Sequence, residues 1–286
     1  MSVATLRSEP HPVAAPPVPP LQRGSGAAEI VFKRRGDATV LARLAQRTPC
    51  RVLFPAAEPG DPPLAVLLTT SGGLTGGDTL RVRIGVEPGA CAAVTTQAAE
   101  KIYRSLGADV GIDVDLAVGA GATLEYLPQE TILFDGARLV RRTSVDVAAD
   151  GRFLAAEMLV FGRAARGEVP RAGRVFESWR VRRGGRLVWA DALSLEGDIA
   201  ARLDDPFAFA GARALATLVY VGDAAEALLP RARELAEGAA SLVRGVLIVR
   251  LFGPLARAVR DRLARVLAGM RQAIGLTNAL PRIWQC

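Results

Sequence analysis

Histidine is nearly missing from this chain of 286 residues, because His11 is the only one. Catalytic triads of the Ser-His-Asp and Cys-His kinds, and zinc sites built on several imidazoles, all need histidine inside the fold. The three cysteines, Cys50, Cys91 and Cys286, are odd in number and far apart, so they predict neither a disulfide framework nor a zinc knuckle. The sequence therefore argues against the commonest hydrolase and zinc-binding classes.

Long apolar runs and aromatic residues are also scarce. The best apolar run, GVLIVRLFG at 245–253, is interrupted by Arg250 and is far shorter than the roughly 20 residues of a membrane span. The start of the chain lacks the compact apolar segment of a secretory signal, so we expect a cytoplasmic protein without a membrane partner. Aromatic residues make up 5% of the chain, which argues against the stacking platforms that sugar-binding proteins use.

Positive charge, in contrast, is abundant. The chain has 36 basic and 29 acidic residues, for a formal net charge of +7, and only Lys33 and Lys101 are lysines. A basic protein can bind nucleic acid, but a GC-rich genome also produces many arginines, together with the abundant Ala, Gly, Pro and Val. No compact basic stripe interleaved with aromatic residues is present, so we expect no nucleic-acid partner. Binding to an acidic protein partner is the remaining alternative.

Proline and glycine divide the chain into regions. Residues 1–27 carry EPHPVAAPPVPP and then GSGAA, which is typical of a flexible tail, and we expect a single domain over 28–286.

From 28 to about 200, alternating segments such as RVRIGV at 81–86 predict strands. The turn glycines recur at steps of about 32, 30 and 34 residues, at Gly89, Gly121, Gly151 and Gly185. This period favours a mainly β fold of stacked, β-helix-like (solenoid-like) layers, and a β-sandwich is the alternative.

The character of the sequence changes after about residue 205. Segments 223–238 and 254–275 have helical spacing, and in the second Val259, Leu263 and Leu267 recur every fourth residue. Pro254 suits the start of this helix and Gly275 its end, while 241–252 predicts one buried strand. No polar linker separates this part from the strands, so we expect C-terminal α-helices that cover the β layers.

A glycine-rich loop, TTSGGLTGGD at 69–78, is the first candidate site. A phosphate-binding P-loop needs a lysine where this chain has Asp78, and a dinucleotide-binding loop needs a helix where TLRVRIGV predicts a strand. We therefore expect no nucleotide at this loop. Asp78 either accepts backbone N–H groups in a tight turn or has a functional role.

A carboxylate inside an apolar strand is the second candidate. Glu157 lies within AAEMLVF, and a buried carboxylate is costly unless it is paired or coordinates a ligand. An ion pair with Arg163 or Arg166 is the simplest expectation, and a functional role is the alternative.

Five segments together resemble those of a known family. SGGLTGGD, TTQAAEKIYRS, LEYLPQETILFDGA, FGRAARGE and LPRIW have the order and approximate spacing of the urease accessory protein D family, called H in some bacteria, from about residue 28 to 284. The long proline-rich tail and the pair Thr69-Thr70 depart from the family pattern. The positions to which the resemblance assigns a structural role are Gly72, Gly73, Gly76, Gly77, Tyr103, Arg104, Pro128, Gly162, Arg163, Pro281, Arg282 and Trp284.

The resemblance implies a maturation factor and not an enzyme. It implies that the protein binds apo-urease together with accessory proteins F and G, as a dimer within the accessory complex, and helps to deliver nickel. GTP would be bound only by the partner GTPase, protein G. The resemblance also implies a fold of β-rich stacked layers with a few C-terminal helices.

Nickel is expected to pass through this chain without a tight site. Stable Ni²⁺ sites favour imidazole and thiolate ligands, which this chain lacks or keeps isolated, whereas transit needs several weak oxygen ligands. We therefore expect no tightly bound cofactor and only transient Ni²⁺. The candidate path residues, taken from the matching motifs, are Asp78, Glu100, Glu130 and Glu157. The hypothesis requires them to line a continuous polar channel.

Two other function classes are alternatives. A β-solenoid enzyme that acts on carbohydrate would need a pair of carboxylates across an open groove. A basic nucleic-acid-binding protein would lose affinity steeply with added salt.

Overall fold

The computed structural model describes residues 22–276 and 280–285. Most of the tail predicted for residues 1–27 lies outside the described residues. The first strand begins at Ser25, so residues 25–27 lie in a sheet and not in the tail. None of the helices in the described part combines the length and apolarity needed to span a bilayer.

Strands dominate the described chain, and three α-helices accompany them. The strands are β1 (Ser25–Arg35), β2 (Ala38–Arg47), β3 (Cys50–Leu53), β4 (Leu64–Thr69), β5 (Thr79–Val86), β6 (Cys91–Thr96), β7 (Glu100–Ile102), β8 (Val110–Val118), β9 (Thr123–Leu127), β10 (Thr131–Leu133), β11 (Arg138–Val147), β12 (Arg152–Phe161), β13 (Ala172–Arg183), β14 (Arg186–Asp198), β15 (Ala214–Val221), β16 (Ala240–Val243) and β17 (Val246–Gly253). The helices are α1 (Ile199–Asp204), α2 (Ala225–Leu235) and α3 (Ala256–Ala273).

The strands form two facing sheets wound from successive coils. The seven-stranded sheet has the order β14-β13-β11-β8-β5-β1-β2, and its five inner strands are parallel. The larger sheet has the order β16-β17-β15-β12-β9-β6-β4-β3, and β4, β6, β9 and β12 are parallel. Along the chain, β5, β8 and β11 are each followed by the strand that lies in the opposite sheet. The predicted mainly β, solenoid-like layering is thus confirmed.

The main core lies between the two sheets. Alternation places one set of side chains inward and the other outward, so that in β5 Leu80, Val82 and Ile84 are buried whereas Arg81 and Arg83 are exposed. The pattern RVRIGV predicted this strand because its period is two residues. At both edges of the seven-stranded sheet the parallel ladder ends in an antiparallel hairpin partner, β2 or β14.

A second core lies on the other face of the larger sheet, beneath α2 and α3. Leu228 of α2 and Leu263 and Leu267 of α3 pack in one cluster with Leu154 of β12 and Leu247 of β17. The expected helical cover on the β layers is therefore confirmed. Gly275, with φ of 90°, follows the last turn of α3 as predicted, whereas Pro254 precedes the helix and lies outside it.

The single strand predicted for 241–252 is wrong, because this segment forms the hairpin of β16 and β17. The chain reverses at Arg244 and Gly245, whose φ angles are 48° and 77°. Two successive positive φ angles are typical of the tight turns that match the twist of a hairpin. The apolar residues on both sides hid this turn in the sequence.

Candidate functional site

Four of the five motifs meet at one side of the coil stack. Leu74, Ile102, Leu133 and Phe161 come from four successive coils and pair in register as a ladder of apolar side chains. Each is buried. SGGLTGGD, EKIYRS, ETILFDG and FGR are therefore neighbouring layers of one structure, although they are about 30 residues apart in the chain.

Aromatic and cationic side chains continue this stack one or two positions further along three of the layers. The rings of Tyr103 and Phe134 lie edge to face with centroids 4.9 Å apart, and the guanidinium of Arg163 lies 4.0 Å from the Phe134 ring. Glu168 binds Arg163 through both of its oxygens, at 2.8 and 2.9 Å. Such packing fixes the corner of the stack.

The paired glycines let neighbouring layers approach each other closely. The hydroxyl of Tyr103 donates to the carbonyl of Gly72 at 2.7 Å. A Cβ atom at Gly73 would lie 2.7 Å from the carbonyl oxygen of Lys101, and one at Gly76 would lie 2.4 Å from that of Ala108. The loop therefore packs on the next layer, and the expectation that it binds no nucleotide stays a prediction.

Asp78 is buried beneath this loop and binds backbone groups. Its Oδ1 accepts from the amide of Gly24 at 2.6 Å, and its Oδ2 accepts from the amide of Thr75 at 2.8 Å. This is the tight-turn interpretation from the sequence. The carboxylate also ties the chain just before β1 to the glycine loop. A role for Asp78 in nickel transfer stays a prediction.

Asp78→Ala is expected to destabilise the fold by roughly 1–3 kcal/mol, because the part-buried amides of Gly24 and Thr75 lose their acceptor. Urea denaturation of the variant and the parent chain measures the loss. The matched control is Asp146→Ala, which removes an exposed carboxylate without a hydrogen bond or ion pair in the described chain. Equal midpoints for all three proteins would contradict this role for Asp78.

A cavity of about 230 Å³ opens beside the same corner and extends between the two sheets. Its lining runs from exposed Gln97 and Ala98 to buried Tyr126 and Arg141. Glu100 lines it and accepts a hydrogen bond from the Thr69 hydroxyl at 3.1 Å. Burial is the main cause that raises the pKa of Glu100. Pro128, from the third motif, and Cys50 also line the cavity.

Arg141 forms the inner end of this cavity and neutralises two buried carboxylates. Its guanidinium lies 3.1 Å from Glu157 and is also in contact with Glu177. It donates a further hydrogen bond to the Thr131 hydroxyl at 2.9 Å. The Oγ1 atom of Thr143, two residues along the same inward face, is buried without a hydrogen-bond partner in the described part of the chain. The cluster therefore combines one cation with carboxylate and hydroxyl oxygens.

The expected pairing of Glu157 with Arg163 or Arg166 is wrong, because its partner is Arg141. Glu157 points inward from β12 into the space between the sheets. Arg163 lies beyond the end of that strand, where it binds Glu168, and Arg166 is exposed. Proximity in sequence suggested the wrong partner, since β11 of the opposite sheet supplies the cation.

The buried position of Glu157 also alters its acidity. Burial raises the pKa of Glu157 to about 8, with neighbouring Glu177 adding to the rise and Arg141 opposing it. Glu157 and Glu177 face each other across the guanidinium inside the core and not across an open groove. This arrangement does not offer the carboxylate pair that the carbohydrate-enzyme alternative needs.

A pH dependence of stability follows from Glu157. Its pKa rises from 4.5 to about 8 on folding, so the folded chain keeps a proton that the unfolded chain loses. The contribution of this proton to the free energy of unfolding is complete below about pH 4.5 and is lost as the pH rises toward about 8. Glu157→Gln, which cannot ionise, is expected to flatten this fall in a series of urea denaturations. Glu226→Gln, at an exposed site on α2, should keep the parent slope, and an unchanged slope in Glu157→Gln would refute the assignment.

Glu130 lies on the helical side of the larger sheet. It pairs with Arg260 of α3 at 2.5 Å, and that guanidinium lies 4.9 Å from the ring of Trp284. Trp284 is buried and donates through Nε1 to the carbonyl of Leu127 at 3.0 Å. The closing motif LPRIW is thus anchored to the end of β9, next to the third motif.

The four path candidates do not line one continuous cavity in the described chain. Glu100 lines the cavity, and Glu157 lies directly behind Arg141. Asp78 and Glu130 bind other groups, as described above. The continuous channel that the hypothesis requires is therefore not formed by these four residues in the described chain, and a role of each one separately in nickel transfer stays a prediction. Among the described residues, no group of three His, Cys, Asp or Glu side chains has the geometry to hold a metal ion.

Other motif residues have structural contacts at the same corner or at the end of the chain. Arg104 lies 3.6 Å from Asp135, and Gly162, with φ of 76°, turns the chain at the end of β12. Pro281 precedes the 3-10 turn at 282–284, and Arg282 is exposed near Glu58 at 3.6 Å.

Arg141 and Glu177 were missed as site residues in the sequence. Both have the same parity as buried neighbours on their strands: Arg141 with Leu139 and Val145, and Glu177 with Val175. A charged residue on the inward face of a strand was the available signal.

Comparisons with known proteins agree with the motif set. A family model described as UreD urease accessory protein matches residues 24–285. The chain is 44% identical to urease accessory protein UreD of Magnetococcus marinus, over 99% of both chains. It is 43% identical to urease accessory protein UreD 2 of Methylorubrum populi, over 94% of this chain and 93% of that one. It is also 44% identical to urease accessory protein UreD of a Methylobacterium species, over 87% of this chain and 90% of that one.

Proposed function

The chain belongs to the UreD family of urease accessory proteins, and from this premise we propose that it is a non-enzymatic scaffold that passes nickel to apo-urease. The family supports a role in urease maturation. The proposed nickel role rests chiefly on one observation, the cavity whose lining leads from Glu100 to Arg141 with Glu157 and Glu177 behind it.

Oxygen ligands suit a metal ion that the protein must release again. Carboxylate and hydroxyl oxygens hold Ni²⁺ more weakly than imidazole or thiolate ligands do, and passage requires binding that is favourable but weak. Glu100 and the Thr69 hydroxyl supply oxygens near the mouth of the cavity, and Glu157 and Glu177 supply them at its inner end. Nickel therefore stops first at Glu100 and then displaces Arg141 from the inner carboxylates.

Arg141 keeps the inner end closed while no cargo is present. Burial keeps a proton on Glu157 at neutral pH, so the guanidinium supplies the counter-charge for the one remaining buried carboxylate. An arriving divalent cation replaces that charge, which allows the guanidinium to turn away. Glu157 releases its proton when the cation arrives, so the two carboxylates balance the divalent cation and no charge is left uncompensated at either stage.

The proposed partners are apo-urease and accessory proteins F and G, in the cytoplasm. GTP binds to the partner GTPase, protein G, because the glycine loop of this chain is filled by packing against Tyr103 and Lys101. The proposed assembly contains two copies of this chain within the accessory complex. It needs neither a membrane nor nucleic acid.

Co-expression with the urease subunits and the accessory proteins tests this function. Urease purified with and without the chain is compared for nickel content, activity and co-purifying proteins. Glu100→Gln and Glu157→Gln should still co-purify with the complex but lower activation by roughly tenfold, a loss of the size seen when residues supporting a metal site are altered. Glu226→Gln is the control on the helical face. Nickel-loaded, active urease formed equally well without the chain would overturn the proposal.

A further inference from the structure

The outer face of the seven-stranded sheet is uncovered in the described chain. The larger sheet buries its outer face under α2 and α3. The helix α1 contacts β13 and β14 of the smaller sheet, but its buried residues Ile199 and Leu203 belong to the core between the sheets, so it leaves the outer face uncovered. This face is also broad. Six spacings between strands and the eight residues of β5 give roughly 29 by 26 Å. That is close to the roughly 800 Å² that each partner buries in a standard protein interface.

Charges on this face are arranged in rows across the strands. In one row Arg47, Arg81, Asp113 and Arg142 follow one another, because the strands are in register by way of β1. The next row brings Glu29, Arg83 and Asp115 onto successive strands, and Arg180 follows on β13 beyond Ser144 of β11. A third row contains Arg43, Asp146 and Arg182. In these three rows, seven arginines and four carboxylates give a net charge of +3.

The positive charge is only partly neutralised within the face. Three of the four carboxylates pair with arginines of the same face: Glu29 with Arg43 at 3.0 Å, and Asp115 with Arg83 and Asp113 with Arg142 at 3.8 Å each. Arg81, Arg180 and Arg182 have no carboxylate within ion-pairing distance in the described chain. Three guanidinium groups are therefore available to a partner.

Small side chains lie in the third row, between Arg43 and Asp146. Val31, Gly85 and Ala117 are neighbours on β1, β5 and β8. Phe176, half-buried, adds one aromatic group beside Val140 on the next rows. A mixture of small apolar groups, an aromatic ring and arginines is typical of protein interfaces.

From these features we propose that the outer face of the seven-stranded sheet, formed by β1, β2, β5, β8, β11, β13 and β14, binds the acidic, flat surface of another folded protein. A second copy of this chain would bring two positive faces together, and like charges oppose such contact. Nucleic acid fits less well, because the four carboxylates lie between the arginines and would face phosphates. An acidic protein surface satisfies the unpaired arginines and accepts the small apolar groups.

This binding surface goes beyond the proposed function. Only the choice of probe proteins rests on the proposed function. The probes are purified apo-urease, accessory protein F and accessory protein G, each in a separate binding assay, and a short DNA duplex in a fourth. The test variant is Arg81→Glu with Arg180→Glu, since both side chains are exposed and unpaired. The matched control, Arg202→Glu with Arg265→Glu, makes the same charge change at exposed positions of α1 and α3.

The full-length chain is expected to bind at least one of the three proteins, with an affinity that falls as salt rises. The test variant should weaken that binding by about 30-fold, the equivalent of about 1 kcal/mol for each altered charge. The control should change it less than about threefold. Circular dichroism establishes that both variants fold.

Three results would overturn the proposal. The first is that the test variant and the control bind the partner proteins equally well. The second is that the test variant loses binding to the DNA duplex but keeps its binding to the proteins. The third is that the parent chain binds none of the three proteins. The urease activation assay separates this inference from the proposed function. Unchanged binding by the test variant, with activation still dependent on the chain, removes the inference alone. Weakened binding by the test variant, with activation independent of the chain, removes the proposed function alone.

Discussion

Arg271→Met is expected to lower the free energy of unfolding by roughly 3–5 kcal/mol, because it leaves a buried carboxylate without its counter-charge. Arg271 of α3 and Glu125 of β9 are both fully buried, at 0% exposed. The guanidinium binds both oxygens of Glu125, at 2.8 and 3.1 Å, and also Asp61 at 3.2 Å. Burial already raises the pKa of Glu125 against the opposing effect of Arg271, so loss of the cation removes the main compensation. Urea denaturation at constant m-value measures the change.

The double variant Arg271→Met with Glu125→Leu is the matched control. Replacing both members of a buried pair by apolar side chains is often close to neutral, so most of the lost stability should return. Asp61 keeps access to water, since its side chain is 9% exposed. A double variant no more stable than the single one, or a single variant that loses less than about 1 kcal/mol, would contradict the expected role of this pair.

Arg141→Gln is expected to make the stability of the chain depend on nickel. The change leaves Glu157 and Glu177 with no counter-charge, together with the hydroxyls of Thr131 and Thr143. The variant alone should lose roughly 3–5 kcal/mol. Ni²⁺ at a hundred times its dissociation constant should then restore about 2.7 kcal/mol through binding to the folded state. The parent chain should show no such gain, because its guanidinium neutralises the same carboxylates.

Two further variants test whether the nickel effect comes from this cluster. Arg141→Lys keeps the positive charge and should respond to nickel as the parent chain does. Arg141→Gln with Glu177→Gln removes one of the two carboxylates and should lose the restoration. Thermal unfolding with and without Ni²⁺ gives the comparison for all four proteins. An equal response in every variant would place nickel binding elsewhere on the chain.

Most of the fold could be predicted from local periodicity in the sequence. Alternating segments predicted strands because one face of each sheet is buried, and the glycine step of about 30 residues predicted stacked coils. The same local signals failed at 241–252, where an Arg-Gly turn between two apolar runs resembles one continuous buried strand. A turn made by two residues leaves little trace in the sequence when apolar residues flank it on both sides.

The candidate site depended on contacts that local patterns do not encode. The apolar strand around Glu157 was enough to predict that its carboxylate is buried and needs a partner. Its partner, Arg141, lies in the opposite sheet, and the sequence gives no rule for which residues face each other across two sheets. The contact between Arg163 and Glu168, in contrast, joins residues five apart and was within reach of the sequence. Motif order revealed the family, but only the coil stack explains why those motifs belong together.

The coil stack also sets an order of assembly during synthesis. Each parallel pair joins strands about 30 residues apart, so a new coil can pair with the preceding one soon after it is made. Glu125 is different, because its cation is 146 residues further along the chain. Until α3 has been made, this carboxylate has no Arg271 to bind, and the larger sheet lacks its helical cover. A chain that stops before residue 271 would therefore hold completed coils with an unneutralised charge and an open apolar face, a form that quality-control proteases can recognise.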